Sequence, residues 1–466
     1  MFYDEGMTYM KKFSKVSDKY KIDMCNGPIF KKMLVFALPL MCSSVLQLLF
    51  NAADIVVVGK FAGDEALAAV GSNTSLINLL VNLFVGLSIG ANVLVSKFYG
   101  AKKDKDMSET IHTAMLLSVI SGIVLTLVGV IGAEKILGLM KVPRDIIDLS
   151  IIYIRIYFLG ITSTLVYNFG ASILRAVGDT KRPLRYLMLS GVVNVVLNLI
   201  FVIVFDMSVA GVAMATAISQ TLSATLVVRC LMIEDGALKL SLRKLKIYGD
   251  KLKQIIAIGL PAGIQGTVFS LSNVVIQSSV NSFGKIVVAG NSAAQNIEGF
   301  SFMAMNAFTQ AAISFTSQNY GAGKIKRISK VAICCVLSVI GIGFIFGAFT
   351  LGFGRQLLGI YTDNSKVIDA GMNRFSVIVV SYVIAGVMDV FVGLIRGMGV
   401  SIAPMIVSII GVCGFRLIWI ATVFKMPEYH SVKTVYMSYP ITWTLTLIVH
   451  IITFLVIKHR ASQRFL

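Results

Sequence analysis

The chain contains about twelve long stretches of predominantly apolar residues, and these stretches limit its possible folds more than any other feature. A helix needs roughly 20 apolar residues to cross the hydrocarbon core of a bilayer, which is close to the length of each stretch. They cover residues 33–59, 67–96, 111–132, 149–171, 186–205, 209–228, 252–280, 287–316, 331–353, 367–394, 404–423 and 435–457. Continuous apolar runs are typical of membrane helices, whereas the strands of a membrane barrel alternate in polarity. The sequence therefore predicts an all-α membrane protein with twelve transmembrane helices.

The charged residues predict how the chain is oriented in the membrane. Only 14% of residues are charged, and the formal net charge is +19. Most lysines and arginines fall in alternate loops and in the two tails, which predicts a multi-pass plasma-membrane (inner-membrane) protein with both termini in the cytoplasm. The basic clusters lack the interleaved aromatic residues of a nucleic-acid surface, so no nucleic-acid partner is expected.

Cysteines and histidines give no sign of an enzyme. The six cysteines have no metal or redox spacing, and the four histidines are scattered without a ligand motif. No enzyme activity and no cofactor are therefore expected, and no metal beyond a possible sodium ion.

The second half of the chain repeats the first at one constant offset. Tyr99-Gly100-Ala101 reappears as Tyr320-Gly321-Ala322, and Arg175, Gly178 and Pro183 reappear as Arg396, Gly399 and Pro404. Six helices per half bring both halves into the membrane from the same side, so a pseudo-twofold axis along the membrane normal is expected. The predicted parts are a cytoplasmic tail (1–32), an N-lobe (33–233), a linker (234–251), a C-lobe (252–457) and a C-terminal tail (458–466). Parallel repeats of this kind are typical of transporters.

Polar residues inside the apolar stretches mark a candidate site. Gln47, Asn51 and Asp54 share one face of the first predicted helix. An acid within a membrane span usually faces the bundle interior and handles ions or protons, and the alternative is a structural, hydrogen-bonded carboxylate.

Two later helices add polar side chains at four-residue spacing. Asn194 and Asn198 lie in the fifth predicted helix, and Thr216 and Gln220 lie in the sixth. Their oxygen atoms suit a small cation, although single amides also hold membrane helices together by hydrogen bonds. The residues do not distinguish a proton from a sodium ion.

The second half has different acids. Glu298 and Asp389 lie in the eighth and tenth predicted helices, and Ile276 stands where Asp54 would repeat. Either acid is a candidate counter-charge for a cationic substrate, whereas Asp389 could instead pair locally with Arg396.

Apolar side chains and prolines supply two further groups of candidates. Phe302 and Met303 are candidates for an adaptable substrate cavity, with packing as the alternative. Pro39 and Pro261 each remove a backbone donor within a helix, and they are hinge candidates or static kinks.

Several sequence blocks resemble the multidrug and toxic compound extrusion (MATE) family, within the multidrug/oligosaccharidyl-lipid/polysaccharide exporter superfamily. They are LPLMCSSVLQLLFNAADIVVVG, ALAAVG, YNFGASILRAVGDTKRPL, NVVLNLIF, GVAMATAISQ, SQNYGAGK and LIRGMG. The resemblance covers nearly the whole chain. It implies a cation site in the N-lobe formed by Asp54, Gln47, Tyr153, Asn168, Asn194 and Thr216. Many relatives have a second carboxylate where this chain has Asn198, so the charge of this site falls chiefly on Asp54.

The leading functional hypothesis is a secondary active multidrug efflux transporter. It would export small organic, often cationic, compounds in antiport with protons or sodium ions, as a monomer in the lipid bilayer. The alternative is a flippase for a lipid-linked precursor or an exporter of a specialised metabolite. A flippase is expected to have a strongly cationic cavity, and the basic residues within the spans are few, chiefly Arg155, Arg374 and Arg416.

Overall fold

The computed structural model describes residues 20–140 and 142–464, except for the side chains at positions 74, 75, 78 and 79. Most of the predicted N-terminal tail and the last two residues lie outside this range. The described residues form twelve long helical segments and no strand. They are α1 (Ile29–Phe61), α2 (Asp64–Gly100), α3 (Asp104–Leu139), α4 (Ile147–Leu159 and Ile161–Ala176), α5 (Lys181–Leu199 and Ile200–Val204), α6 (Ser208–Ile233), α7 (Gly249–Asn281), α8 (Lys285–Gly321), α9 (Ile325–Gly359), α10 (Ser365–Gly397), α11 (Ile402–Ser408, Ile409–Gly414 and Phe415–Ala421) and α12 (Val432–Arg464).

The helices confirm the predicted all-α membrane fold. In the described part of the chain, ten are long and apolar enough to cross a membrane, and the two parts of α4, bent by 44° at Gly160, form an eleventh span. Helix α8 has 37 residues, so its length is also sufficient. Its composition is more polar because it includes Asn291, Glu298 and several glutamines.

The helices divide into two compact units. Unit 1 contains Cys42–Gly263 together with the chain before Met24, and unit 2 contains Met24–Met41 and Ile264–Leu466. These units differ from the predicted lobes at two places, because residues 33–41 belong to unit 2 and residues 252–263 belong to unit 1. Each unit therefore includes part of a helix that the sequence repeat assigns to the other half.

Residues 33–41 and 252–263, called the exchanged segments because each belongs to the other unit, both end close to a proline. Pro39 lies inside α1 and Pro261 lies inside α7. The change from one unit to the other follows each proline by two residues, after Met41 and after Gly263. The two hinge candidates therefore lie where α1 and α7 pass between compact units.

Glycines allow the first part of α7 to pack closely on α2 within unit 1. Gly86 and Gly90 of α2 and Gly259 and Gly263 of α7 have the same four-residue spacing. A Cβ atom added at Gly86 would lie 2.3 Å from the backbone nitrogen of Gly263. Small residues at this spacing let membrane helices approach until their backbones touch, which gives dispersion contacts that lipid cannot replace.

The predicted linker is bound to unit 1 along its length. The backbone N–H of Ser241 donates to His112 Nε2 at 3.1 Å, and that of Tyr248 donates to Thr113 Oγ1 at 3.1 Å. Lys251, the last residue of the predicted linker, forms an ion pair with Asp106 at the start of α3. These contacts hold the linker against α3.

A buried ionic cluster fixes the start of α5. Asp179 precedes the helix and is fully buried, and its carboxylate accepts hydrogen bonds from the side chain and backbone of Arg182. Arg182 also contacts Glu234, 2.5 Å from its Oε1 atom, at the end of α6. Buried charges are tolerated when they are paired in this way. The cluster explains the GDTKRP sequence and orients the helix that carries Asn194 and Asn198.

Candidate functional site

The site in unit 1 is centred on the carboxylate of Asp54. Asn198 of α5 donates a hydrogen bond from Nδ2 to Asp54 Oδ1 across the contact with α1. The same Nδ2 lies 3.3 Å from Asn194 Oδ1, one turn earlier in α5. Asn198 is fully buried, and 5% of Asn194 is exposed. The structure therefore brings together three of the predicted site residues.

Thr216 extends this network to a third helix. Asn194 Nδ2 donates to Thr216 Oγ1 of α6 at 3.4 Å. Asp54, Asn198, Asn194 and Thr216 thus form a continuous polar chain across α1, α5 and α6. Asn198 Oδ1 is buried and has no hydrogen-bond partner within the described ranges. This oxygen accepts no hydrogen bond from a described residue and lies beside a carboxylate, so it is a suitable ligand for a cation. Hard cations prefer carboxylate and carbonyl oxygens as ligands.

A glycine brings α1 close enough for this contact. Gly191 is one turn before Asn194 in α5, and Phe50 is one turn before Asp54 in α1. A Cβ atom at Gly191 would lie 1.8 Å from Cε2 of Phe50. The phenyl ring occupies the space that a side chain at position 191 would need, so the Gly191–Phe50 contact sets the distance between Asp54 and Asn198.

Two tyrosines of α4 complete the surroundings of the carboxylate. Tyr153 is buried, and its ring stacks on that of Tyr157 with the centroids 6.1 Å apart. Both phenols are close enough to interact electrostatically with Asp54. Tyr153 was predicted from the sequence and Tyr157 was not, although its position four residues later, on the same face of the helix, could have indicated it.

Two of the predicted site residues do not reach this network. Asn168 donates from Nδ2 to the carbonyl oxygen of Thr164 in its own helix at 2.9 Å. Gln47 is exposed and has no hydrogen bond to another described residue. Its position two turns before Asp54 places it on the same face of α1.

The acid predicted in α8 is neutralised by an arginine. Glu298 is 1% exposed, and both of its carboxylate oxygens accept hydrogen bonds from Arg374 of α10, at distances of 2.7–3.2 Å. Tyr382 donates a further hydrogen bond at 3.4 Å. Glu298 is therefore a paired carboxylate in this conformation, which argues against a free counter-charge for a cationic substrate.

Arg374 belongs to a larger polar network that the sequence analysis did not find. Its Nη1 donates to Asn291 Oδ1 at 2.8 Å, and Tyr436 donates to the same oxygen at 3.2 Å. The guanidinium of Arg416 stacks over Tyr439, 4.1 Å from the ring centroid. An arginine within a membrane span usually has an acid or an aromatic ring nearby. The two arginines in the sequence could therefore have predicted such partners.

Asp389 does not form the local ion pair considered for it. It is half-buried and has no hydrogen bond or ion pair with any other described residue. Arg396 instead donates from Nη2 to Gln265 Oε1 at 2.8 Å. Asp389 and Arg396 interact electrostatically without a direct hydrogen bond, so Asp389 is not an isolated acid. In α8, the side chain of Phe302 is exposed and that of Met303 is half-buried.

The chain resembles known proteins closely enough to be assigned to a family. A sequence profile described as MatE matches residues 39–200 and 261–421, one match in each half. The chain belongs to the MatE family. The two matches also confirm the internal repeat. Members of this family are transporters, so this MatE protein is a multi-pass transporter of the plasma membrane and not an enzyme.

Relatives and solved structures agree with this placement. The MatE protein is 29% identical to the probable multidrug resistance protein YpnP of Bacillus subtilis over 83% of its own chain and 87% of that protein. It is 25% identical to the probable multidrug resistance protein YoeA of the same organism, over 90% and 92% of the two chains. A crystal structure of a MATE transporter in complex with MaL6 superposes with a TM-score of 0.88, at 21% identity, over 94% of this chain and 98% of that one. The last comparison confirms the fold.

Proposed function

We propose that this MatE protein is a secondary active exporter of small organic compounds, many of them cationic, driven by antiport with protons or sodium ions. The observation that carries the proposal is the polar chain from Asp54 to Thr216, whose two asparagines are buried. In it, the carboxylate of Asp54 lies beside an asparagine oxygen that accepts no hydrogen bond from a described residue. An ionisable group inside a membrane protein is costly, and ion handling accounts for its presence. The relatives named as multidrug resistance proteins support the same substrate class.

The proposed cycle uses Asp54 as the coupling group. A proton or sodium ion reaches Asp54 from the outer side, and its binding favours the state that releases substrate outward. The ion then leaves toward the cytoplasm while substrate binds from that side. Such coupling requires that each ligand has different affinities for the two states of the transporter. Pro39 and Pro261 are the proposed hinges, since each lies beside a change of compact unit.

The substrate site is proposed to use α8 and α10. Asp389 supplies an acid that interacts with Arg396 electrostatically but is not held by a direct ion pair, and the side chains of Phe302 and Met303 supply adaptable apolar surface. Glu298 contributes no free charge to this site as long as Arg374 holds it. We expect the protein to work as a monomer, because each unit has its own polar network.

One observation favours the alternative of an anionic substrate, such as a lipid-linked precursor or an acidic metabolite. Unit 2 contains Arg374 and Arg416 within its spans, and Glu298 neutralises only Arg374. Arg416 is 3% exposed, and within the described ranges its Nε has no hydrogen-bond partner. Arg416 donates from Nη2 to the neutral hydroxyl of Thr442 at 3.3 Å, so its charge has no acid beside it among the described residues. One such guanidinium is less than the strongly cationic cavity that a phosphate head group requires, so the cationic-drug proposal stands first.

The proposal is tested with purified protein in liposomes. Efflux of a fluorescent lipophilic cation is measured under a proton gradient or a sodium gradient, imposed separately, for the wild type and for Asp54→Asn. One gradient is expected to drive efflux, and Asp54→Asn is expected to reduce that efflux to the leak of empty liposomes. Asp64→Asn is the matched control, since it makes the same change at an exposed acid at the start of α2.

Two results would count against the proposal. Gradient-driven efflux that survives in Asp54→Asn would remove Asp54 from the coupling step. If neither gradient moves a lipophilic cation while an acidic substrate is exported, the anionic alternative takes its place.

A further inference from the structure

A basic pocket lies between the start of α9 and the end of α12 in unit 2. It has a volume of about 490 Å³ and is lined by residues 323–327, Lys330 and Ser462. Four of these residues are cationic, namely Lys324, Lys326, Arg327 and Lys330. Neither α9 nor α12 contains an aspartate or glutamate. The positive charge of the pocket is therefore not balanced by the helices that form it.

Two of the four cations hold the chain that precedes α1. Lys324 Nζ donates to the carbonyl oxygen of Cys25 at 3.0 Å, and Arg327 Nη2 donates to that of Gly27 at 2.7 Å. These partners are neutral, so they orient the two side chains without cancelling their charge. Lys326 and Lys330 are exposed and have no hydrogen bond or ion pair with another described residue.

The repeated half of the chain shows that two of the four cations replace acids of unit 1, whereas Lys324 and Lys326 repeat Lys103 and Lys105. At the constant offset of the repeat, Arg327 occupies the position of Asp106, and Lys330 occupies the position of Glu109. In unit 1 these two acids contact Lys251, with Glu109 at 3.8 Å. Both positions have therefore reversed their charge. The dipole at the start of α9 adds to the preference for an anion, whereas in α3 the acids Asp104 and Asp106 already satisfy that preference.

Apolar surface continues from the pocket along α9. Lys326, Lys330, Ile333 and Leu337 follow one another at spacings of three or four residues, so they lie on one face of the helix. Ile333 is 58% exposed and Leu337 is 60% exposed, as expected for side chains that face lipid. A molecule bound at the two lysines would therefore meet water at one end and hydrocarbon at the other.

We propose that the basic pocket binds the head group of an anionic phospholipid. Its phosphate lies between Lys326 and Lys330, and its acyl chains run along Ile333 and Leu337. Basic pockets between membrane helices on the cytoplasmic side are typical sites for anionic head groups. The apolar continuation favours a lipid over a free phosphate ion, which would use only the lysines. Bound lipid would stabilise the contact between α9 and the chain before α1.

The test is native mass spectrometry of the full chain in detergent with added phosphatidylglycerol or phosphatidylcholine. The wild type is expected to retain phosphatidylglycerol preferentially. Lys326→Gln/Lys330→Gln is expected to bind it about 30-fold more weakly, since each lysine near such a head group contributes about 1 kcal/mol. Lys103→Gln/Lys105→Gln is the matched control, because it removes two exposed charges at the start of α3, where acids are present.

The outcomes distinguish a phospholipid head group from a soluble phosphate in the basic pocket. Equal retention of both lipids, or equal loss in the two double variants, would overturn the proposal. Displacement of phosphatidylglycerol by millimolar inorganic phosphate or glycerol 3-phosphate would assign the pocket to a soluble anion instead. Size-exclusion profiles show whether the variants remain folded. Binding is measured without transport, so this result is independent of the proposed export function.

Discussion

Asn198 is the residue on which the chemistry of the candidate site depends. Its Nδ2 donates to Asp54, and its Oδ1 is buried without a hydrogen-bond partner among the described residues. The donor stabilises the charged carboxylate and therefore opposes its protonation, whereas the oxygen is an available ligand for a metal cation. The side chain of Asn198 is therefore expected to weaken the binding of a proton at Asp54 and to strengthen the binding of a sodium ion.

Replacing Asn198 by leucine is expected to identify the coupling ion. A hydrogen bond to a charged group contributes about 1.5–3 kcal/mol, so the half-saturating ion concentration should change about ten- to hundred-fold. If protons drive efflux, Asn198→Leu makes proton binding tighter and moves half-saturation to higher pH, because the carboxylate has lost its donor. If sodium drives efflux, the half-saturating sodium concentration rises, because an oxygen ligand is lost.

The measurement is efflux from liposomes as a function of pH and, separately, of sodium concentration. Asn168→Leu serves as the control, since the side chain of Asn168 bonds to its own helix at Thr164. An unchanged ion dependence in Asn198→Leu would show that the ion binds elsewhere.

At the scale of helices, the distance between α1 and α5 decides whether the site exists. Phe50 fills the space beside Gly191, and Asp54 and Asn198 meet further along the same contact. Gly191→Ala is expected to force the ring of Phe50 away and to separate the two helices. Overpacking of this kind costs about 1–3 kcal/mol, so both the unfolding temperature and gradient-driven efflux should fall.

A second substitution tests this explanation directly. Phe50→Ala provides room for the new methyl group, so Gly191→Ala/Phe50→Ala should recover efflux relative to Gly191→Ala alone. Gly138→Ala is the control, because a Cβ atom at Gly138 has no neighbour within 4 Å. If the double variant is no better than the single one, the ring contact does not position Asp54.

At the scale of the whole molecule, the distribution of charge predicts which face of the membrane each connection occupies. Lys103 lies between α2 and α3 in a basic connection, and Asp363 lies between α9 and α10. Because positive loops remain in the cytoplasm, we expect Lys103→Cys to be inaccessible and Asp363→Cys to be accessible from outside the cell.

An impermeant maleimide applied to intact cells checks this orientation. Asp363→Cys should label above the level of the parent chain, and Lys103→Cys should label only after the membrane is permeabilised. The opposite pattern would reverse the topology, and with it the direction in which Asp54 takes up its ion.

The sequence by itself determined the membrane class, the repeat and most residues of the candidate site. Apolar runs long enough for a bilayer leave few alternatives to helices, since backbone groups in hydrocarbon must bond within their own segment. The four-residue spacing of Asn194 and Asn198 places both on one face of α5, and Asp54 is too costly to face lipid. These properties depend on local composition and spacing, so they can be read without knowing which helices touch.

Only the tertiary structure decided which polar groups are free. Glu298 and Asp389 are equivalent in sequence as isolated acids, yet Glu298 forms a direct ion pair with Arg374 of another helix, whereas Asp389 interacts with Arg396 of its own helix without a direct contact. Likewise, α1 and α7 each change compact unit just after a proline, which no repeat in the sequence indicates. The physical reason is that charge neutralisation and close packing act between side chains far apart in the chain. Their distances are set only when the helices assemble.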